Sequence, residues 1–127
     1  MTDYVLDSSA LLALWFGEPG AEAVEAVISR AAVSTVSLSE AYAKHLAKRG
    51  DFLRVRELFE ASGIEVVDFD EDLAVKAAAI RGLHPGAGLS FADRACLALA
   101  QRENAVALTS DKLWSALSGV GRVEQFR

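Results

Sequence analysis

Four acidic residues stand at positions where their side chains could meet. Asp7 follows the apolar Tyr4-Val5-Leu6, Glu40 and Asp93 each lie three residues after a serine, and Asp111 ends Thr109-Ser110-Asp111. Each has an ordinary explanation. Ser37-x-x-Glu40 and Ser90-x-x-Asp93 both fit a capping box, in which the acid bonds back to the cap's own amide. Asp7 and Asp111 fit plain helix N-caps, worth ~1 kcal/mol each. Glu40 with Lys44 fits an i,i+4 surface pair. As a group the acids say more. Asp93 shares its helical face with Leu97 and Ala100, while Arg94, Gln101 and Arg102 form the wet side, so solubility does not explain it. Carboxylates gathered in one pocket repel one another and resist ionising unless a cation joins them. Oxygen ligands without a neighbouring His or Cys suit Mg²⁺ or Mn²⁺. Such an ion meets phosphate oxygens and acidifies a bound water, so the chemistry expected is phosphodiester hydrolysis.

The elements that must position these acids can be read from apolar spacing and breakers. Strands are expected at 4–6, 32–36, 64–67, 105–108 and 123–125. Helices are expected at 10–15, 21–30, 37–49, 51–62, 71–81 and 90–103, with a short one ending near Leu117. Gly82 to Gly88 form a glycine-rich loop. Short apolar strands alternating with helices indicate a parallel sheet covered on both faces. The expected fold is therefore a three-layer α/β/α sandwich with a roughly five-stranded parallel sheet, as one domain over residues 1–127. In such sheets the working site lies at the carboxyl ends of the strands, where strand order reverses. Asp7, Glu40 and Asp111 would all project to that edge.

Composition sets the outer limits. The chain has 127 residues, of which 52% are hydrophobic and 24% charged, which excludes disorder and low-complexity polymers. Its single cysteine, Cys96, offers neither an internal disulfide nor a cysteine-based zinc site, and a reducing cytoplasm is the expected home. The longest apolar run, Ala10 to Phe16, is seven residues, against the ~18 that a membrane span needs. No basic region precedes an apolar stretch near Met1, so no signal peptide is expected. Net charge is −5, yet Lys44, Lys48, Arg49, Arg54 and Arg56 fall close together with His45 among them. By contrast, Glu65, Asp68, Asp70, Glu71 and Asp72 form a run without a base. The basic cluster is a candidate surface for an RNA backbone or an acidic partner segment. His45 and His84 are expected at the surface.

Four segments, in order, carry a family resemblance: Val5-Leu6-Asp7-Ser8-Ser9-Ala10-Leu11-Leu12-Ala13, Val36-Ser37-Leu38-Ser39-Glu40, Leu89-Ser90-Phe91-Ala92-Asp93-Arg94-Ala95-Cys96-Leu97, and Leu108-Thr109-Ser110-Asp111. Together they resemble the motifs of PIN-domain ribonucleases, in particular VapC-like toxins of toxin–antitoxin pairs. Phe91-Ala92 departs mildly from the family, where glycine is common just before the Asp. The resemblance implies a Mg²⁺-dependent (or Mn²⁺-dependent) endoribonuclease with an antitoxin partner and a homodimeric, higher-order assembly. Carried over, Asp7, Asp93 and Asp111 would hold metal, Glu40 would hold a water, and Ser8 and Thr109 would orient carboxylates. Trp15, Phe16 and the helices over 37–61 would form the antitoxin groove. Trp114 and Phe126 read as core or dimer contacts. Two rivals remain at this stage: a receiver-type phospho-signalling module and a PIN fold that binds without catalysis.

Overall fold

The computed structural model describes residues 2–48 and 50–127. Its sheet grows from β1 (Tyr4–Leu6), whose alternating side chains enter two different cores. Val5 packs on one face and Leu6 on the other, both fully buried, as the period of two in a strand requires. β4 (Val106–Thr109) repeats the pattern with Ala107 and Leu108. β2 (Ala31–Ser34), β3 (Glu65–Val67) and β5 (Val123–Gln125) complete a parallel sheet of order β3-β2-β1-β4-β5.

Helices cover both faces. α1 (Ser8–Phe16), α2 (Ala21–Glu25) and Phe59 of α4 (Phe52–Ser62) contribute to the core around Leu6 and Leu108. α5 (Glu71–Leu83) and α6 (Phe91–Arg102) cover the other face, with fully buried Trp114 among them. α3 (Thr35–Ala47) packs against both α1 and α6. The expected three-layer sandwich is thus present with its five parallel strands. Trp114 and Phe126 are both core residues.

Three local expectations are corrected. β2 stops at Ser34, because the Ser34 hydroxyl accepts from the Val36 amide and caps α3 there. Val36 therefore lies in the first helical turn, and Ser37 is buried inside α3 rather than capping it, so the Ser37–Glu40 capping box does not form. The helix expected over 21–30 breaks into α2 and a 3₁₀ turn at Ile28–Arg30. His45 is not at the surface. It is 4% exposed, stacked on Phe16 at 5.1 Å and edge-on to Trp15 at 6.0 Å. Gly50 makes this possible, since a Cβ there would overlap the imidazole.

Cys96 lies in α6 and is fully buried, with its Sγ 4.0 Å from the Val5 carbonyl oxygen. Burial, and secondarily the charges of Asp7 and Asp93, push its thiol well above the usual range. The folded protein is expected to leave Cys96 unmodified by a thiol-specific disulfide reagent at neutral pH, with full labelling in denaturant. Rapid labelling of the native chain would contradict this placement.

Candidate active site

Strand order decides where a site can lie. The chain runs from β1 outward through β2 and β3, then returns to the other side of β1 with β4 and β5. The reversal opens a crevice at the carboxyl ends of β1 and β4. Asp7 stands at the end of β1, and Thr109-Ser110-Asp111 at the end of β4. This order also removes the receiver-type rival, whose β1 lies between β2 and β3.

Asp7 is 5% exposed and N-caps α1. A buried carboxylate is costly unless donors surround it, and here three do so. Its Oδ1 accepts from the Ser9 amide at 2.7 Å, and its Oδ2 accepts from the Ser9 hydroxyl at 3.0 Å and from the Thr109 hydroxyl. A carboxylate offers about four acceptor sites, so one remains for another partner. Thr109 accepts in turn from the Asp111 amide at 3.0 Å, so one hydroxyl ties the two acidic strand ends together. Ser9 also accepts from the Ser110 amide at 3.1 Å. Sequence reasoning singled out Ser8 and Thr109 but missed Ser9, although Asp-x-Ser with a serine two residues on is a recognisable turn signal.

Glu40 lies in the second turn of α3, where its Oε1 accepts from the Ser8 hydroxyl at 2.7 Å and from Lys44 Nζ at 3.0 Å. Asp93 stands in the first turn of α6 and completes a genuine capping box. Ser90 Oγ accepts from the Asp93 amide at 3.1 Å, and Asp93 Oδ2 accepts from the Ser90 amide at 2.9 Å. Capping and charge clustering therefore coexist at Asp93. Its carboxyl is held above the ordinary aspartate range, first by burial and then by Asp7 and Glu40, against the lowering effect of the Ser90 hydrogen bonds. Asp111 is exposed, and its Oδ1 accepts from the Leu113 amide at 3.0 Å.

Glu40, Asp93 and Asp111 line one hollow together with Lys44 and Ser90, while Asp7 lies buried close enough to act on Asp93. The donors are all oxygen, as Mg²⁺ or Mn²⁺ prefers. Among the described residues no three acids converge tightly enough to ligate a single ion as they stand. By donor chemistry and charge the set fits a hard divalent cation.

The basic cluster is divided. Lys44 borders the acidic hollow. Lys48 lies over the Phe16 ring at 5.0 Å and 3.9 Å from Glu18, and Arg56 pairs with Glu60 at 3.3 Å. Arg54 is exposed on α4, and Arg49 lies outside the described residues. Trp15 is half-buried, stacked on Tyr42 at 5.2 Å with Phe59 edge-on at 6.3 Å. Half-buried His84 bonds through Nε2 to the Ser118 carbonyl at 2.6 Å, away from the acids.

A parallel α/β sandwich with a carboxylate cleft at its switch point defines the class. The family profile described as PIN domain matches residues 4–120, so the chain belongs to the PIN-domain family. A sequence search finds no significant match among curated proteins. Among solved structures, the chain is similar to a toxin–antitoxin complex from Klebsiella pneumoniae, with 22% identity, 98% of each chain covered and a TM-score of 0.79. It is also similar to DNA-bound VapBC from Salmonella typhimurium, with 20% identity, 100% of each chain covered and a TM-score of 0.77. VapBC-5 from Mycobacterium tuberculosis shares 24% identity over 100% of this chain and 99% of that one, with a TM-score of 0.62. At such identities the likeness shows the fold.

The raised Asp93 carboxyl has a direct consequence in metal-free buffer. A folded-state pKa above the unfolded value means that the folded chain holds the proton more tightly. Stability is then fully present below the unfolded pKa and lost as pH rises through the window between the two values. Asp93→Asn keeps an oxygen that can accept from the Ser90 amide but cannot ionise. Urea unfolding in EDTA at stepped pH should show wild type losing stability across that window, with a shallower loss in the variant. Parallel profiles would contradict the charge clustering.

Proposed function

We propose that the protein is a metal-dependent endoribonuclease acting as the toxin of a toxin–antitoxin pair, with residues 1–127 forming a single PIN domain. The observation that carries this reading is the gathering of Glu40, Asp93 and Asp111 around one hollow, with buried Asp7 at the end of β1. Acids gathered in this way resist ionising together unless a cation joins them. Asp7, Asp93 and Asp111 would hold Mg²⁺ or Mn²⁺. When bound, a divalent cation supplies charge neutralisation for the phosphodiester and acidifies the attacking water.

The remaining steps belong to the chain's own groups. Glu40, steadied by the Ser8 hydroxyl, orients the water and accepts its proton. Thr109 holds Asp7 and the Asp111 backbone in register across the crevice. Water oxygen bonds to phosphorus in line as the P–O3′ bond breaks, and the departing O3′ takes a proton from solvent, leaving a 5′-phosphate and a 3′-hydroxyl. Lys44 stands beside the hollow as a counter-charge for the RNA backbone. The partnership with a small antitoxin protein draws support from the toxin–antitoxin complexes among the structural neighbours, and assembly as a homodimer is part of the same proposal.

Purified protein should cut single-stranded RNA only with Mg²⁺ or Mn²⁺, and EDTA should abolish cutting. Ser8→Ala should lower the rate about 10- to 100-fold, the usual cost of removing a group that orients a metal-site residue. Expression alone should arrest growth, and a small protein encoded beside it should restore growth. Metal-independent cutting by a nuclease-free preparation would overturn the mechanism. Binding of RNA without cleavage under any divalent ion would establish the silent rival instead.

A further inference from the structure

We propose that Phe91 is a base-stacking residue of the nucleic-acid site, holding the nucleobase next to the cleaved phosphodiester. The inference rests on the nuclease reading above and names a contact that reading does not contain. Phe91 opens α6 two residues before Asp93, with 49% of its surface exposed. Nothing in helix initiation asks for a large apolar ring at that first position, where proline is the enriched residue.

The ring is held in place. Phe69 meets it edge-on, with centroids 5.1 Å apart and planes at 88°, and the Arg94 guanidinium lies 5.8 Å from its centroid. Phe69 itself packs against the core that contains Val5 and Leu97, and its amide donates to the Thr35 hydroxyl at 3.2 Å. A platform fixed before binding loses little conformational freedom when a ligand stacks on it.

Its location supplies the occupant. Phe91, Val36, Ala92 and Thr35 line a hollow of about 630 Å³. That hollow shares Glu40, Ala43 and Ser90 with the acidic hollow of about 610 Å³. The two form one trough, acidic with Lys44 at one end and apolar with an aromatic at the other. A nucleotide is divided in the same way, between a charged phosphate and a flat π-face. Stacking on an aromatic accepts any base, and Arg94 beside the ring adds attraction to the π-system. A second copy of the chain could also cover an exposed ring, but would have no need of the acids that share the trough.

The test uses a short single-stranded RNA carrying 2-aminopurine, whose fluorescence is quenched by stacking, with wild type, Phe91→Ala and Phe91→Tyr. Wild type and Phe91→Tyr should quench the probe and cut the unlabelled RNA with similar KM. Phe91→Ala should lose the quenching and raise KM about tenfold, with kcat little changed. An abasic nucleotide beside the cleaved bond should impair wild type to the same degree and leave Phe91→Ala no worse. Far-ultraviolet circular dichroism and sedimentation check that each variant folds and keeps its oligomeric state. Equal quenching and KM for Phe91→Ala, no quenching by wild type, or conversion of a dimer to monomers by Phe91→Ala would overturn the proposal. The nuclease reading fails separately, when wild type and Asp93→Asn behave alike toward RNA.

Discussion

Burying one carboxylate at the end of a central strand obliges the chain to surround it with donors, and that requirement organises the whole carboxyl edge of the sheet. Asp7 meets it with the Ser9 amide, the Ser9 hydroxyl and the Thr109 hydroxyl. Two of these belong to the helix that Asp7 caps, and the third comes from the strand across the switch point. The same contacts that compensate for burial therefore fix α1 on β1 and β1 beside β4. They also place Asp111, through the bond from its amide to Thr109. Remove the donors and the desolvation penalty of the carboxylate is left exposed.

Structural and chemical roles are not alternatives at this edge. Asp93 closes a capping box with Ser90 and is still pushed up by Asp7 and Glu40. Asp7 caps a helix with part of its acceptor capacity and keeps the rest. Glu40 forms the ordinary i,i+4 pair with Lys44 while also accepting from Ser8. Helix starts suit such double use, because their free amides offer donors that hold a carboxylate in one rotamer. At Asp93 and Glu40 one oxygen is anchored, Oδ2 and Oε1 respectively, whereas at Asp7 both are.

Much of this was legible in the residues. Short apolar strands alternating with helices led to the parallel sandwich, and the positions of Asp7 and Asp111 after strands led to one edge. The capping box at Asp93 was readable from Ser90-x-x-Asp93, and its apolar helix face from Leu97 and Ala100. Other features were not. Ser34 and Ser37 are both plausible caps by type, and the choice falls to Ser34, whose hydroxyl accepts from the Val36 amide where β2 ends. His45 sits among basic residues in the chain but is drawn inward by Trp15 and Phe16, a long-range contact that local spacing does not encode. The basic cluster looked continuous because adjacency in sequence hides direction. Lys44 stands on α3 beside the acids, while Lys48, just past the helix end, lies against Phe16.

The Thr109 hydroxyl holds the Asp7 carboxylate at the switch-point crevice, where the proposed cation would bind. The most direct measurement compares wild type, Thr109→Ser and Thr109→Val by thermal unfolding with and without Mg²⁺. Loss of a buried hydrogen bond to a charged group costs about 1–3 kcal/mol. Thr109→Val should therefore melt lower in EDTA and gain little from Mg²⁺, because ligands that bind only the folded form stabilise it in proportion to their affinity. Thr109→Ser, which keeps the hydroxyl, should retain most of both the metal-free stability and the Mg²⁺-induced rise in Tm. A Thr109→Val protein that melts like wild type and shows an undiminished Mg²⁺ response would contradict the account.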